Sequence, residues 1–323
     1  MSGALLSADE FAARLRRIGE ERYHHRHPFN LRMHEGSLTR EEIQTWVRNR
    51  YYYQTRIPVK DGAILSKSPD ARFRREWIQR IHDHDGAREG EGGLELWLRL
   101  AEAVGLPRAE VEALKGVLPG VRRACDAYVE FVESHDLLAS VASSLTELFA
   151  GDIMVVRIAA FEKHYGWVDS EGLRYFQSRT VQAPRDARFG LEFVTQNAGS
   201  AEDQQRCLAA LERKCEILWS LLDAIERACG VPRLVEHAQL REEGAETLLV
   251  LPERALRIGG SGAEILALCD GARSGIEVAA ALRSRHPGAG EGKLEDEVHD
   301  FLGELFAQGA LRFEQRPAGA RRA

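Results

Sequence analysis

Through the first 230 residues apolar side chains return at spacings of three and four, the period of an amphipathic helix, and the two-residue alternation of strands is essentially missing. Capping boxes mark two helix starts, Ser7 with Glu10 ahead of Phe11 and Thr39 with Glu42 ahead of Ile43, while Gly86 and Gly105 mark ends. Pro119 and Gly120 precede the helix carrying Tyr128, and a long helix runs through SSLTELF toward His164. Another carries Tyr175 and Arg179 up to Pro184, and the last contains Lys214 and ends near Gly230. These elements predict an all-α bundle over residues 1–230. After Cys229 the rhythm changes. GVPRL reads as a short connection, and AETLLVLPERALRI as two short strands around a proline-containing turn. Three helical stretches follow, GSGAEILALCDG, SGIEVAAALRSRH and LEDEVHDFLGELFAQG, the third after a loose PGAGEGK loop, and ALRFE closes as a last strand. Residues 231–323 are thus expected to form a small α+β domain with a winged-helix-like order of elements and a frayed tail from Pro317.

Several apolar faces carry charges. In CLAALERKCEILWSLL the positions Cys207, Leu211, Lys214, Leu218 and Leu222 share one face, which sets an ammonium on an apolar stripe. A desolvated lysine is costly unless an anion meets it. In TREEIQTWVRNRYYYQ, Arg50 and Tyr53 or Gln54 ride the face set by Trp46, and in RREWIQRIHDHDG, Arg80 and His84 follow Trp77. Tyr175 and Arg179 are an i, i+4 pair, and Arg157 follows Ile153 by one turn. Together they outline a cationic cavity. Arginine forks match carboxylates bidentately, so Arg50, Arg80, Arg157, Arg179 and Lys214 would suit a small molecule bearing several carboxylates.

Composition narrows the classes. A formal net charge of -6 and no basic stripe give no reason to expect a nucleic-acid partner. From Arg233 to Ala323 there are 12 Lys and Arg against 15 Asp and Glu, net -3, so a winged-helix order does not imply DNA binding there. An exposed strand edge taking an extended peptide fits better. No apolar run approaches a membrane span, and MSGALLSADEF is too short and too quickly acidic for a signal peptide, so a cytoplasmic location is expected. The five cysteines are widely spaced without a C-x-x-C pair and read as reduced. Neither a glycine-rich phosphate loop nor a G-x-S-x-G elbow is present. His24, His25, His27, His82 and His84, with Asp83, Asp85 and Glu147, invite a di-iron reading, yet only one E-x-x-H pair, Glu21 with His24, occurs in the bundle. Inward arginines also oppose a dication, and no metal is expected.

The stretches RYHHRHPF, WVRNRYYYQTRIPVKDGAIL, RREWIQRIHDHDG, EGGLELWLRLAEAVGL, DAYVEF and SSLTELF, with the lone Lys214 ahead of ILWSLLDA, closely resemble the PqqC family of pyrroloquinoline-quinone synthases over most of residues 10–227. The segment from Arg233 to Glu314, with LLVLPERALRI, ILALCDG and FLGELFAQGAL, resembles the PqqD family of small peptide-binding proteins. The first resemblance implies a haem-oxygenase-like helical bundle without haem, a homodimer, and a cofactorless oxidase. Its reaction would close a ring and oxidise a bicyclic tricarboxylate precursor to pyrroloquinoline quinone (PQQ) with O2, releasing hydrogen peroxide. The second implies a domain that binds the precursor peptide PqqA and presents it to the radical enzyme PqqE.

Carried over by position, the resemblance places His24, Arg50, Tyr53, His84, Tyr128, Glu147, Arg157, Tyr175, Arg179 and Lys214 in the pocket. Expected substrate contacts are Arg50, Tyr53, Gln54, Arg80, Glu147, Arg157 and Lys214. His84 is the expected general base, titrating near neutrality. Tyr175 and Arg179 would flank oxygen, and His24 and Tyr128 would orient groups or shuttle protons. Met154 stands where the family has a histidine, and Phe189 where one often appears. Methionine cannot shuttle a proton. A PQQ carrier or stalled oxidase, and a metal-dependent oxygenase on the same fold, therefore remain as alternatives.

Overall fold

The computed structural model describes residues 4–243, 246–290 and 292–316; the tail expected from Pro317 lies outside the described residues. The chain divides into two compact units, Met1–Val117 with Val121–Leu222, and Leu118–Gly120 with Asp223–Ala323.

The first unit is helical. Its early helices are α1 (Ala8–Arg22), α2 (Pro28–Glu35), α3 (Arg40–Lys67), α4 (Ala71–Asp85), α5 (Gly92–Ala103) and α6 (Arg108–Glu112). There follow α7 (Pro119–Ser134), α8 (Leu137–Ser143), α9 (Glu147–His164), α10 (Arg174–Asn197) and α11 (Ala201–Cys229). Both capping boxes close: the Ser7 and Thr39 hydroxyls accept from the amides of Glu10 and Glu42, whose carboxylates reach back to the cap amides. Gly86 ends α4 at φ 82°, a left-handed conformation that a side chain would resist, and its N–H donates to the His82 carbonyl.

Apolar stripes meet in a core of Phe11, Leu15, Phe29, Met33, Ile43, Trp46, Trp77, Trp97, Phe161 and Phe176. Trp46 packs edge-on against Trp97, whose indole N–H donates to the Val47 carbonyl at 2.9 Å. Close approach is built in at Gly19, where a Cβ would fall 1.8 Å from the Phe149 ring.

Two expectations about helix limits are corrected. The SSLTELF segment is not one long helix: it breaks into the 3-10 turn Ser144–Thr146 between α8 and α9. The hydroxyls there are otherwise engaged, Ser143 donating to the Ser140 carbonyl and Ser144 meeting Lys60 and Tyr128, which competes with regular helix. The break makes Glu147 the first residue of α9. Conversely α10 does not stop at Pro184 but runs through it. The proline ring packs beside Gly151 of α9, where a Cβ would come within 3.4 Å of it, an ordinary contact.

The second unit contains β1 (Val231–Leu234), β2 (Gln239–Glu243), β3 (Glu246–Leu251), β4 (Arg254–Ile258), α12 (Gly262–Leu268), α13 (Gly275–Arg285), α14 (Lys293–Ala307) and β5 (Leu311–Glu314). Strands β3 and β4, the three helices and β5 match expectation. GVPRL is not a mere connection: it forms β1, antiparallel to β5 with Val231 opposite Glu314 and Leu234 opposite Leu311. Strand β2 was also unforeseen. It pairs with β3, placing Leu240 opposite Leu249, and completes the antiparallel order β2-β3-β4. Leu249, Ile265, Val278, Leu282, Val298 and Leu302 form this unit's core.

Candidate active site

Every residue expected in the cavity lies in the helical unit, and the charged ones sort into two ends. At one end three cations meet no carboxylate among the described residues. Arg50, on α3, sits 4.0 Å over the Tyr53 ring, with Nη1 unpartnered. Lys214, on α11 and 1% exposed, donates from Nζ to Tyr53 Oη at 2.9 Å and lies 3.3 Å from the Tyr128 ring centroid. Arg157, on α9, donates from Nη2 to Asn30 Oδ1 at 3.0 Å, stacks over Trp46 and leaves Nε unpartnered. Among the described residues none of the three meets a carboxylate. Their energetic strain is visible: burial, then Lys60 and Arg50, push the Lys214 ammonium well below its ordinary value, and burial with Arg50 brings Arg157 down to about 10.

His24 belongs to this end. Its carbonyl accepts from Asn30 Nδ2 at 2.8 Å, so Asn30 links it to Arg157, while its ring Nδ1 has no partner. Burial and the cations Arg50, Arg157 and Lys214 hold the imidazole neutral, well below its usual range.

The other end is internally neutralised. Arg80 gives each guanidinium nitrogen to a different carboxylate: Nε to Asp61 Oδ1 at 3.2 Å, Nη2 to Glu147 Oε1 at 3.2 Å and Nη1 to Asp186 Oδ2 at 3.1 Å. Arg179 donates to Glu147 Oε2 at 2.5 Å and to Gln182 Oε1 at 3.3 Å. Lys60 donates to Asp61 Oδ1 at 2.6 Å and to Ser144 Oγ at 3.1 Å. Burial opposes ionisation of Glu147, but Arg179, Arg80 and Lys60 override it and hold the carboxyl at about 2. The expectation of five open cations is therefore corrected. Arg80 and Arg179 are already paired, because helical periodicity shows which side chains turn inward but not which charges of other helices they meet.

His84, on α4, is within electrostatic reach of Asp61, Glu147 and Arg179. A carbonyl can only accept, so the 3.0 Å contact with the Arg80 carbonyl puts the proton on Nδ1 and leaves the Nε2 lone pair free, buried and unpartnered. Burial and Arg179 lower the imidazole to about 4, which overturns the expectation that it titrates near neutrality. It is a neutral acceptor throughout the physiological range. The Tyr175 hydroxyl donates to Gln54 Oε1 at 2.9 Å, its ring is edge-on to Trp97, and burial raises its phenol despite Arg179 and Arg50. Tyr128 Oη lies 3.2 Å from Ser144 Oγ, beneath Lys214 and near Lys60.

Residues 12–224 match the TENA/THI-4/PQQC family. The chain belongs to that family. Residues 246–311 match the family described as coenzyme PQQ synthesis protein D (PqqD). Pyrroloquinoline-quinone synthase of Gluconobacter oxydans is 49% identical over 224 residues, 69% of this chain and 94% of that protein. The bifunctional coenzyme PQQ synthesis protein C/D of Methylorubrum extorquens is 48% identical over 231 residues, covering 72% of this chain and 62% of that one. Among solved structures, a TenA homologue from Pseudomonas syringae superposes with a TM-score of 0.56 at 14% identity over 68% of this chain and 96% of its own. A heme oxygenase-like domain from Shewanella denitrificans gives 0.54 at 13%, over 67% and 89%. The chain is thus a PqqC/D fusion whose N-terminal fold is heme oxygenase-like.

Five residues that touch these side chains were not expected from the sequence: Tyr23, whose ring meets that of His24 edge-on, Asn30, Lys60, Asp61 and Asp186. Lys60 carried a signal, since it continues the stripe Trp46, Arg50, Tyr53, Ile57 by three residues, and Asp186 lies two turns beyond Arg179. On α9, Glu147, Met154 and Arg157 share one face, which sets buried Met154 between the paired and unpaired ends. Phe189 packs with Phe73 and Trp77, an apolar cluster rather than a proton path. Among the described residues no group of three or more His, Cys, Asp or Glu is placed to hold a metal.

Proposed function

We propose that residues 1–230 complete PQQ by ring closure and oxidation of a late bicyclic tricarboxylate precursor, using O2 and neither metal nor organic cofactor. The observation that carries this reading is the set of three buried cations, Arg50, Arg157 and Lys214, with no carboxylate partner among the described residues. A ligand with three carboxylates relieves all three. His24 and Tyr53 orient it there. At the paired end Gln54 and Tyr175 flank the reacting ring, and His84 Nε2 removes protons as oxidation proceeds. Each two-electron step passes two electrons and two protons to O2, giving hydrogen peroxide. Arg179 and Tyr175 stabilise the anionic oxygen species on that route, with Tyr128 close to Lys214 as a further hydroxyl.

Residues 231–323 would hold a PqqA-like peptide for a PqqE-like radical enzyme. Strand β2 is exposed along its whole length, and an open sheet edge can accept an extended segment. Calorimetric titration of the full chain with such a peptide tests this: no heat of binding removes the reading. We further propose a cytoplasmic homodimer. Exposed Val155 and Val156 on α9 and Val181 on α10 support the contact between copies. No helix among the described residues is long and apolar enough to cross a membrane.

Met154 favours a second reading, a carrier or stalled oxidase, because a thioether cannot relay the protons that a histidine would. Metal-stripped protein mixed with the precursor in air separates the two. PQQ and peroxide formed together support the cofactorless oxidase, binding without turnover supports the carrier, and turnover only on adding iron would make it a metal-dependent oxygenase.

A further inference from the structure

Glu147 is the most exposed carboxylate of the paired end. Its side chain is 15% exposed, against 0% for Asp61 and 4% for Asp186. Its two oxygens are shared between two guanidinium groups, Oε1 at 3.2 Å from Arg80 Nη2 and Oε2 at 2.5 Å from Arg179 Nη2. A carboxylate or ionised ring oxygen of a ligand reaching this end would seek the same two donors. The other two carboxylates are tied down from behind. Asp61 Oδ1 also accepts from Lys60 at 2.6 Å, and Asp186 Oδ1 from Arg185 at 2.7 Å. Among the described residues Glu147 has no such second anchor: its side-chain hydrogen bonds there are those to Arg80 and Arg179, and it stands where the 3-10 turn Ser144–Thr146 gives way to α9.

We infer that Glu147 is an internal counter-anion of the Arg80–Arg179 pair and competes with the anionic ligand for it. The inference rests on the polycarboxylate reading above. Its functional logic is release. Six buried cations, Arg50, Lys60, Arg80, Arg157, Arg179 and Lys214, would hold a polyanionic product for long times. A resident carboxylate that reclaims two of them lowers that affinity and opens the site for the next substrate. It also sets specificity. Arg50, Arg157 and Lys214 take carboxylates without displacement, whereas an anion at the Arg80 end must outcompete Glu147.

Two titrations of the full chain test this. First, Glu147→Gln and Glu147→Ala are melted in acetate and in chloride at matched ionic strength. Small carboxylate should fill the vacated bridge, so acetate raises the melting temperature of the variants and leaves the wild type unchanged. If neither variant folds in chloride but either folds in acetate, the result is the same. No acetate-specific gain in either variant overturns the inference, whatever the protein's substrate. Second, PQQ is titrated into wild type, Glu147→Gln and Asp186→Asn. Removing the competitor should tighten PQQ binding roughly tenfold, the scale of one desolvated charge contact. Asp186→Asn, which deletes a charge beside the same Arg80 and Arg179 at a less exposed carboxylate that Arg185 also holds, should not tighten it. Equal or weaker binding by Glu147→Gln, or equal tightening by both variants, overturns the inference. A wild type that does not bind PQQ overturns the proposed function instead, and the acetate experiment still decides the role of Glu147.

Discussion

Lys214→Met should make the protein more stable and bind PQQ less well. Methionine replaces the lysine stem with little change in volume and removes a buried cation that has no carboxylate partner among the described residues. Burying such an ion costs several kcal/mol even after relaxation. Against that, the variant loses the hydrogen bond to Tyr53, about 1.5 kcal/mol at the low end for a charged donor, and the contact with the Tyr128 ring, about 2 kcal/mol. The balance favours the variant by about 1–3 kcal/mol, or about 2–4 °C in Tm for each kcal/mol in a unit of this size. Affinity moves the other way: a charge-assisted hydrogen bond to a ligand carboxylate is worth about 1.5–3 kcal/mol, so Kd should rise about 10- to 150-fold. The pH dependence has a definite sign. The ammonium of folded Lys214 is depressed by burial, so between its folded and unfolded values the unfolded chain binds more protons and wild-type stability rises with pH. The advantage of the variant is therefore greatest on the acid side and fades as pH approaches about 10, the ordinary lysine value. Urea unfolding across pH, with calorimetric PQQ titration, measures both effects. A variant less stable than wild type at neutral pH, or with unchanged PQQ affinity, would refute the assignment of Lys214 as a strained, ligand-seeking cation.

Other expected outcomes follow from the same geometry. His84→Asn should keep PQQ affinity and lose about 10²–10⁴ in turnover. Because His84 is neutral above about 4, the wild-type kcat/KM should show no limb near the ordinary histidine value of about 6.5 that His84→Asn removes; such a limb would contradict the buried, depressed base. Met154→His should raise the peroxide formed per precursor consumed if proton delivery limits late oxidation, and an unchanged ratio would clear Met154 of that role. Val181→Asp should convert a dimer to monomer by light scattering without changing helix content; an unchanged mass would place the contact elsewhere.

Much of the fold was legible because long helices repeat their signal. The stripe through Trp46, Arg50 and Tyr53 reports inward direction three times over, and capping boxes add local confirmation at Ser7 and Thr39. Strands β1 and β2 were not legible for physical reasons. Val231–Leu234 has four residues, one of them Pro232, and acquires its ladder from β5 some 80 residues away. Gln239–Glu243 is exposed throughout, so it has no buried face to impress an alternation on the sequence. The candidate site divided in the same way. Direction could be read, and Arg50, Arg157, Arg179, Lys214 and His84 are all buried. Partnership could not. That Arg80 meets Asp61, Glu147 and Asp186 depends on four helices converging, and no single helix contains that information.

Partnership is what gives the site a sense of direction. Had all six cations been free, a flat molecule with several carboxylates could have bound in more than one orientation at similar energy. Neutralising one end breaks that degeneracy. At the Arg50, Arg157 and Lys214 end a carboxylate gains a charge partner without displacing another carboxylate of the described residues, whereas at the Arg80 end it must displace Glu147. Under the proposed function, ligand carboxylates are thereby driven to the unpaired end and the oxidisable ring to His84, Tyr175 and Arg179. The same asymmetry suits redox chemistry. Arg80 can polarise a neighbouring oxygen without surrendering its position, because Asp61 and Asp186 hold two of its nitrogens whether or not Glu147 is displaced. Fixed dipoles that need not reorganise during the reaction are the main means by which a site without a cofactor can stabilise transient anions. On this account the carboxylates Asp61 and Asp186 are as much a part of the oxidising end as the cations they restrain.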